Sequence, residues 1–273
     1  MAQATLADGL QLEYEVHGSP TDPTIVLIRG LGTQMIEWPD TFIQGLTGRG
    51  LCVVAFDNRD VGLSSKCESG YTLSAMAGDV VGLLDSLGIQ QAHIFGISLG
   101  GMVAQLVAVE HADRVACLFS VMSGSGNPDV PTVSPEMYPF LTEKADTTEA
   151  QIALNTRNRA LFGSPGYAES EEERRAQAER AYQRCFCPDG VARQMQAANE
   201  DGSRVLRLQT ISCPALVIHG ADDPLVNVAA GEDTAKNIPQ AQLLIVPGMG
   251  HNIPAALGET IAAAVDDFIA ANG

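Results

Sequence analysis

A mainly parallel, doubly wound α/β sheet is the fold class that this sequence predicts, and three observations carry it. Short, largely apolar runs recur along the chain, at residues 24–28 (TIVLI), 51–56 (LCVVAF), 93–97 (HIFGI), 115–122 (VACLFSVM) and 213–219 (CPALVIH). Runs of that length without polar alternation are strands buried on both faces. Segments with helical spacing separate them, as crossover connections between parallel strands require. Finally, residues 96–100 read Gly-Ile-Ser-Leu-Gly between such a strand and an apolar helical pattern at 102–109.

The composition agrees. The chain has 273 residues, enough for one large α/β domain or a domain with an insertion. Hydrophobic residues make up 45% and charged residues 18%, which supports a substantial core and argues against disorder. A net charge of −17 speaks against binding nucleic acid or an anionic membrane and mildly favours neutral or cationic substrates. The first residues, MAQATLADGLQ, lack a basic segment followed by an apolar one, and no apolar run reaches a membrane-spanning length. A cytoplasmic protein, monomeric or homodimeric, is the expectation, with its six cysteines reduced. Cys185 and Cys187 form a lone C-x-C with no histidine close by in sequence, so they read as packing residues and no metal site is expected.

Taken in order, residues 10–17 (LQLEYEVH) alternate as a strand, and 18–23 form a turn cluster. The strand at 24–28 ends in Arg29-Gly30-Leu31-Gly32, and Trp38 and Phe42 lie on a short helix behind that loop. The strand at 51–56 runs into DNRDVGLSS, residues 57–65, and 73–87 has helical spacing. After the strand at 115–122 the texture changes. Residues 123–135 are rich in turn formers, and 137–205 show helical patterns without a clear strand. The charge run at 169–180 (ESEEERRAQAER) reads as a solvated helix face. Strands return at 213–219 and 242–246, and an amphipathic helix over 253–271 closes the chain. The segment 126–204, inserted after a strand, should lie over the strands' C-terminal edge, where ligands bind in such sheets. The expected division is a core of 1–125 and 205–273 with a helical cap of 126–204.

Ser98 stands at the sharpest point of this plan. A serine between strand and helix in Gly-x-Ser-x-Gly is a nucleophile elbow, in which a strained backbone projects the hydroxyl clear of the sheet. Gly96 and Gly100 remove the Cβ atoms that would collide there. Such a hydroxyl needs a base, and the base needs an orienting acid, each in a loop after a later strand. The strand at 213–219 ends in Gly220-Ala221-Asp222-Asp223-Pro224, and that at 242–246 in Pro247-Gly248-Met249-Gly250-His251. His251 is the best-placed base. His17 and His93 lie within strands, His111 ends a helix and His219 ends a strand. Asp222 and Asp223 compete for the acid role, because adjacent side chains diverge and only one can reach His251. The oxyanion needs two backbone donors: Leu99 supplies one, and Leu31, in the loop after TIVLI, is the candidate for the other.

The segments IRGLGTQMIEWPDTF, FDNRDVGLSSK, HIFGISLGGMVAQ, SGNPDVP, GVARQ, VIHGADDPLV and GMGH resemble the α/β-hydrolase family, in particular its aclacinomycin methylesterase-like branch. The resemblance covers nearly the whole chain. It implies an eight-stranded, mostly parallel sheet with helices on both faces, an inserted helical cap and a Ser-Asp-His triad. It favours Asp223 over Asp222, since the family acid stands three residues after the strand-end glycine and just before a proline. It likewise points to Leu31 as the second oxyanion donor. Two departures stand out. Arg29-Gly30 replaces a common His-Gly, and Arg29 is expected to pair with an acid nearby. Asp60 replaces the glycine of Asp-x-Arg-Gly-x-Gly, which is expected to reflect turn architecture. A serine nucleophile also excludes the family's dehalogenase and epoxide-hydrolase chemistry, which uses aspartate. The expected activity is cofactor-free hydrolysis of a small-molecule carboxylic ester through an acyl-enzyme. The alternatives are C–C bond, thioester or lactone hydrolysis or perhydrolysis on the same triad, and a slow-turnover small-molecule receptor.

Overall fold

The structure, a computed structural model, describes residues 1–131, 133–141 and 143–272. Its strands are Ala2–Thr5 (β1), Gln11–His17 (β2), Thr24–Ile28 (β3), Cys52–Phe56 (β4), Ala92–Ile97 (β5), Val115–Val121 (β6), Ala215–Gly220 (β7) and Gln242–Val246 (β8). They form one sheet in the order β1-β2-β4-β3-β5-β6-β7-β8, in which β2 runs antiparallel to β1 and β4 and every other pairing is parallel. The chain leaves β3 for β4 on one side and returns to β5 on the other. That reversal opens a crevice at the C-terminal ends of β3 and β5, where Leu31 and Ser98 follow.

Period-two alternation divides the core into two layers. Ile25, Leu27, Val53, Ala55, Phe95 and Phe119 face one side, beneath Asp40–Thr47 (α1) and Gly258–Asn272 (α9). Val26, Ile28, Val54, Phe56, Ile94 and Leu118 face the other, beneath Leu73–Ser86 (α2) and Leu99–Glu110 (α3). Covering both faces is why these strands read as unbroken apolar runs. An aromatic row ties the first layer across the sheet: ring centroids are 5.1 Å apart for Phe42–Phe95, 6.0 Å for Phe95–Phe119 and 5.6 Å for Phe119–Phe268. Local chemistry sets the helix ends. The Thr72 hydroxyl accepts from the Ala75 amide at 3.1 Å and starts α2, and Gly88, with φ of 69°, follows its end.

Between β6 and β7 lie Thr148–Phe162 (α4), Glu171–Arg184 (α5), Pro188–Asp201 (α6) and the short Val205–Leu208 (α7). Val228–Asn237 (α8) connects β7 to β8. Three details depart from the sequence reading. β1 is an additional strand, too short to show periodicity. α8 is an additional helix, whose buried residues are only Ala230, Gly231 and Thr234. Trp38 lies outside α1, because Pro39 precedes that helix and separates it from a single turn at Met35–Glu37. No helix among the described residues is long and apolar enough to cross a membrane.

The loop after β4 ties the inserted helices to the sheet. The Asp57 carboxylate is fully buried, accepts from the Met35 amide at 2.8 Å and pairs with Arg184 of α5 at 2.7 Å. Asp60 has φ of 70°, a left-handed backbone that glycine adopts without strain. Its carboxylate, however, accepts from Arg193 Nε and Nη2 of α6 at 2.8 and 2.9 Å, and from the Cys67 amide at 2.7 Å. Burial pushes the Asp60 carboxyl up, but these donors more than offset it and hold it below the usual carboxylate range. Asp60 therefore does more than shape a turn: it anchors α6. Arg193→Met, which strands this carboxylate, is expected to cost about 3 kcal/mol of stability. Asp60→Gly combined with Arg193→Met should recover part of that loss by removing both the orphaned charge and the left-handed strain. Urea unfolding of the single and double variants checks this; a double variant less stable than Arg193→Met would contradict it.

Candidate active site

Ser98 sits between β5 and α3 with φ of 58° and ψ of −122°, a strained backbone held from both sides. Its amide donates to Val121 O at 2.8 Å, and its carbonyl accepts from Gly101 N at 2.8 Å. The glycines around it are sterically required. A Cβ on Gly96 would lie 2.0 Å from Gly100 O, and one on Gly100 would lie 2.3 Å from Ile28 O.

His251 Nε2 lies 2.9 Å from Ser98 Oγ, and His251 Nδ1 lies 2.7 Å from Asp223 Oδ2. The three residues arrive from the ends of β5, β7 and β8. An ionised Asp223 can only accept, so the proton resides on His251 Nδ1 and leaves Nε2 free to accept from the serine hydroxyl. Asp223 Oδ1 accepts from the Leu225 and Val226 amides at 2.9 Å each. Burial pushes the Asp223 carboxyl up, but electrostatic attraction to His251 and the hydrogen bonds from His251 and the Val226 amide outweigh it. The carboxyl is held well below the usual carboxylate range. Asp222 turns away from His251. Its Oδ2 accepts from Gly248 N at 2.8 Å and so shapes the loop that carries the imidazole. The inserted helices hold that loop as well: His251 N donates to Phe162 O at 2.8 Å, and Gly250 N to Ser164 Oγ at 2.9 Å.

Leu99 is the first residue of α3, and Leu31 follows β3 beside the serine. A Cβ on Gly30 would lie only 3.1 Å from Ser98 Cβ. Neither the Leu31 nor the Leu99 amide has a hydrogen-bond acceptor among the described residues. The next amide along, that of Gly32, donates to Gln194 Oε1 at 2.9 Å, while Gln194 Nε2 donates to Arg59 O at 3.0 Å. Gln194 is fully buried on α6 and fixes the path of the Leu31 loop. It ends the GVARQ segment, so the sequence carried a signal for it although its contact was not legible.

Ser98 and His251 open onto a cavity of about 350 Å³, lined also by Leu31, by Leu154, Asn155 and Arg159 of α4, by Tyr182 of α5 and by Val191 of α6. Cys185, expected to be a packing residue, lines it too. The expectation for Arg29 is overturned. Glu37, the acid whose charge acts on Arg29, is ion-paired to Arg159 instead and accepts from the Gln34 amide at 2.7 Å. The Arg29 guanidinium lies over the Trp38 ring, 4.6 Å from the ring centroid, and its Nε is buried without a partner. Burial lowers its pKa to about 10, with Glu37 opposing and Arg159 assisting, so it remains cationic at neutral pH. Sequence reading also missed His219. Its Nε2 lies 2.9 Å from Val226 O and 3.5 Å from Asp223 Oδ2, at the fully buried back of the acid.

Residues 23–255 match the alpha/beta hydrolase fold family. The chain belongs to that family. This α/β hydrolase is 28% identical to rhodomycin D methylesterase of Streptomyces peucetius, over 94% of each chain. It is 33% identical to a Caulobacter sp. (strain K31) protein named putative carbamate hydrolase, over 98% of each chain. Among solved structures, it is similar to the enol-lactonase from Burkholderia xenovorans LB400, with a TM-score of 0.83, 26% identity and coverage of 98% of this chain and all of that one.

Proposed function

We propose that this α/β hydrolase cleaves carboxylic esters of small molecules through an acyl-enzyme. The observation that carries the reading is the hydrogen-bonded series Asp223–His251–Ser98 opening onto one cavity. Ser98 Oγ attacks the ester carbonyl as His251 Nε2 takes its proton. The Leu99 and Leu31 amides receive the oxyanion, and Asp223 stabilises the imidazolium. The imidazolium then protonates the departing alcohol, and His251 next activates a water that releases the acid. The methylesterase relative supports an ester as substrate.

Residues 126–204 act as a cap that shapes the cavity, a reading supported by its lining from α4, α5 and α6. One experiment tests activity and cap together. Turnover of p-nitrophenyl esters of increasing acyl length is followed in the wild type and in a chimera carrying another family member's segment at 126–204. Sustained hydrolysis by the wild type and a shifted length preference in the folded, active chimera are expected. A single burst without turnover would point to a receptor, and an unchanged preference would remove the cap from substrate selection.

A further inference from the structure

We infer that Arg29 is a substrate-recognition residue and that the ester this site takes carries a second group, a carboxylate, which the Arg29 guanidinium binds. The inference rests on the ester-hydrolase reading and names the substrate class for that same site.

The argument begins with what surrounds the guanidinium. Arg29 lines the cavity together with Ser98 and His251, and Gly30, the next residue, packs against Ser98. Among the described residues its side chain has no hydrogen-bond or ion-pair partner; the Trp38 ring covers one face, and Nε is buried and unsatisfied. Other arginines with side chains largely removed from solvent in this molecule are engaged: Arg59 with Asp79, Arg114 with Asp85, Arg184 with Asp57, Arg193 with Asp60 and Arg204 with Asp201. Arg174 also has a buried Nε without a partner, but its Nη1 donates to the Glu169 carbonyl, whereas Arg29 has no hydrogen-bond or ion-pair partner among the described residues and lines the cavity.

Structural duty alone does not account for it. An arginine held merely to balance Glu37 would pair with it, but Arg159, reaching in from α4, has that carboxylate. Arg29, Glu37 and Arg159 together carry one positive charge, and the cavity is lined further by Lys144, Glu143 and Glu169, so the attraction for an anion is local to the Arg29 guanidinium and does not extend over the whole cavity. A sheltered cation without a partner is costly, and an incoming carboxylate relieves that cost. The guanidinium is held by stacking on Trp38, which leaves its edge N–H donors to meet a planar carboxylate side by side. The net charge of −17 opposes an anion at long range. Salt screens that diffuse repulsion beyond ~8 Å, whereas a contact inside the cavity is sheltered from it. Hydrolysis then converts a monoester of a dicarboxylic acid into the dicarboxylate and an alcohol.

The test compares monomethyl and dimethyl esters of succinate, glutarate and adipate, which share the scissile group and differ in the distal charge. For the chain length that fits, the wild type is expected to favour the monoester in kcat/KM by about 10- to 100-fold, as a charge-assisted pair supplies. In Arg29→Gln the ratio of the two rates should collapse towards unity, whatever the absolute rates. Arg29→Lys should keep part of the preference, since it retains the charge without the fork. A wild type that favours the diester at every length would overturn the inference and leave the esterase reading intact, as would a monoester preference that survives in Arg29→Gln. If neither ester is turned over while p-nitrophenyl esters are, the esterase reading stands, and calorimetric binding of glutarate to wild type and Arg29→Lys still reads the subsite: tighter binding by the wild type supports it and equal binding overturns it. The wild-type preference needs no variant, so misfolding of Arg29→Gln leaves the inference testable.

Discussion

Ser98→Ala is expected to lower kcat on an activated ester by at least ~10³-fold while the protein stays folded. Alanine keeps a Cβ of the same size at the strained turn, so the hydrogen bonds to Val121 and Gly101 that hold the backbone persist. What disappears is the hydroxyl oxygen, placed 2.9 Å from His251 Nε2, that attacks the carbonyl. The effect on kcat should far exceed the effect on KM, because the cavity walls that bind substrate remain. A serine-directed phosphonate should label the wild type at Ser98 and leave the variant unlabelled. Labelling elsewhere, or a variant that retains more than a few per cent of kcat, would remove Ser98 from the role of nucleophile.

Asp223→Asn should cost kcat ~10³- to 10⁴-fold, and Asp222→Asn far less. The asparagine Oδ1 can still accept from the Leu225 and Val226 amides. Its Nδ2 then faces His251 Nδ1 as a donor and forces the proton onto Nε2, where it can no longer accept from Ser98. Asp222→Asn loosens only the contact to Gly248 N. Reversed effects would transfer the orienting role to Asp222. The acid also leaves a signature in stability. Its carboxyl is held below the ordinary carboxylate range, so folding favours the ionised form. That contribution is complete at neutral pH, above the unfolded carboxyl value of about 3.9, and is lost as pH falls from there through the lower folded value. Wild-type Tm should therefore fall more steeply than that of Asp223→Asn on acidification below about pH 4, where the unfolded chain takes up the proton first. Parallel Tm profiles would mean that the Asp223 carboxylate is not stabilised by folding.

The sequence by itself determined whatever depends on near neighbours along the chain. The apolar runs TIVLI and LCVVAF specify doubly covered strands because every residue in them must leave water. Gly96-Ile97-Ser98-Leu99-Gly100 specifies the elbow because its steric demands lie within five residues. β1 and α8 escaped because each buries too little apolar surface to impose a period. The tertiary structure decided the questions that depend on which distant group arrives first. The residues alone left Asp222 and Asp223 in competition and only the family resemblance favoured Asp223; the physical separation comes from the amides of Leu225 and Val226 on one side and Gly248 on the other. Arg29 is the clearest case. Its acid, Glu37, stands only eight residues away in sequence, but the Glu37 carboxylate is taken by Arg159, 122 residues further on. A side chain's local neighbours say which partners are within reach, whereas the fold says which of them are already engaged, and that competition leaves the Arg29 guanidinium facing the cavity.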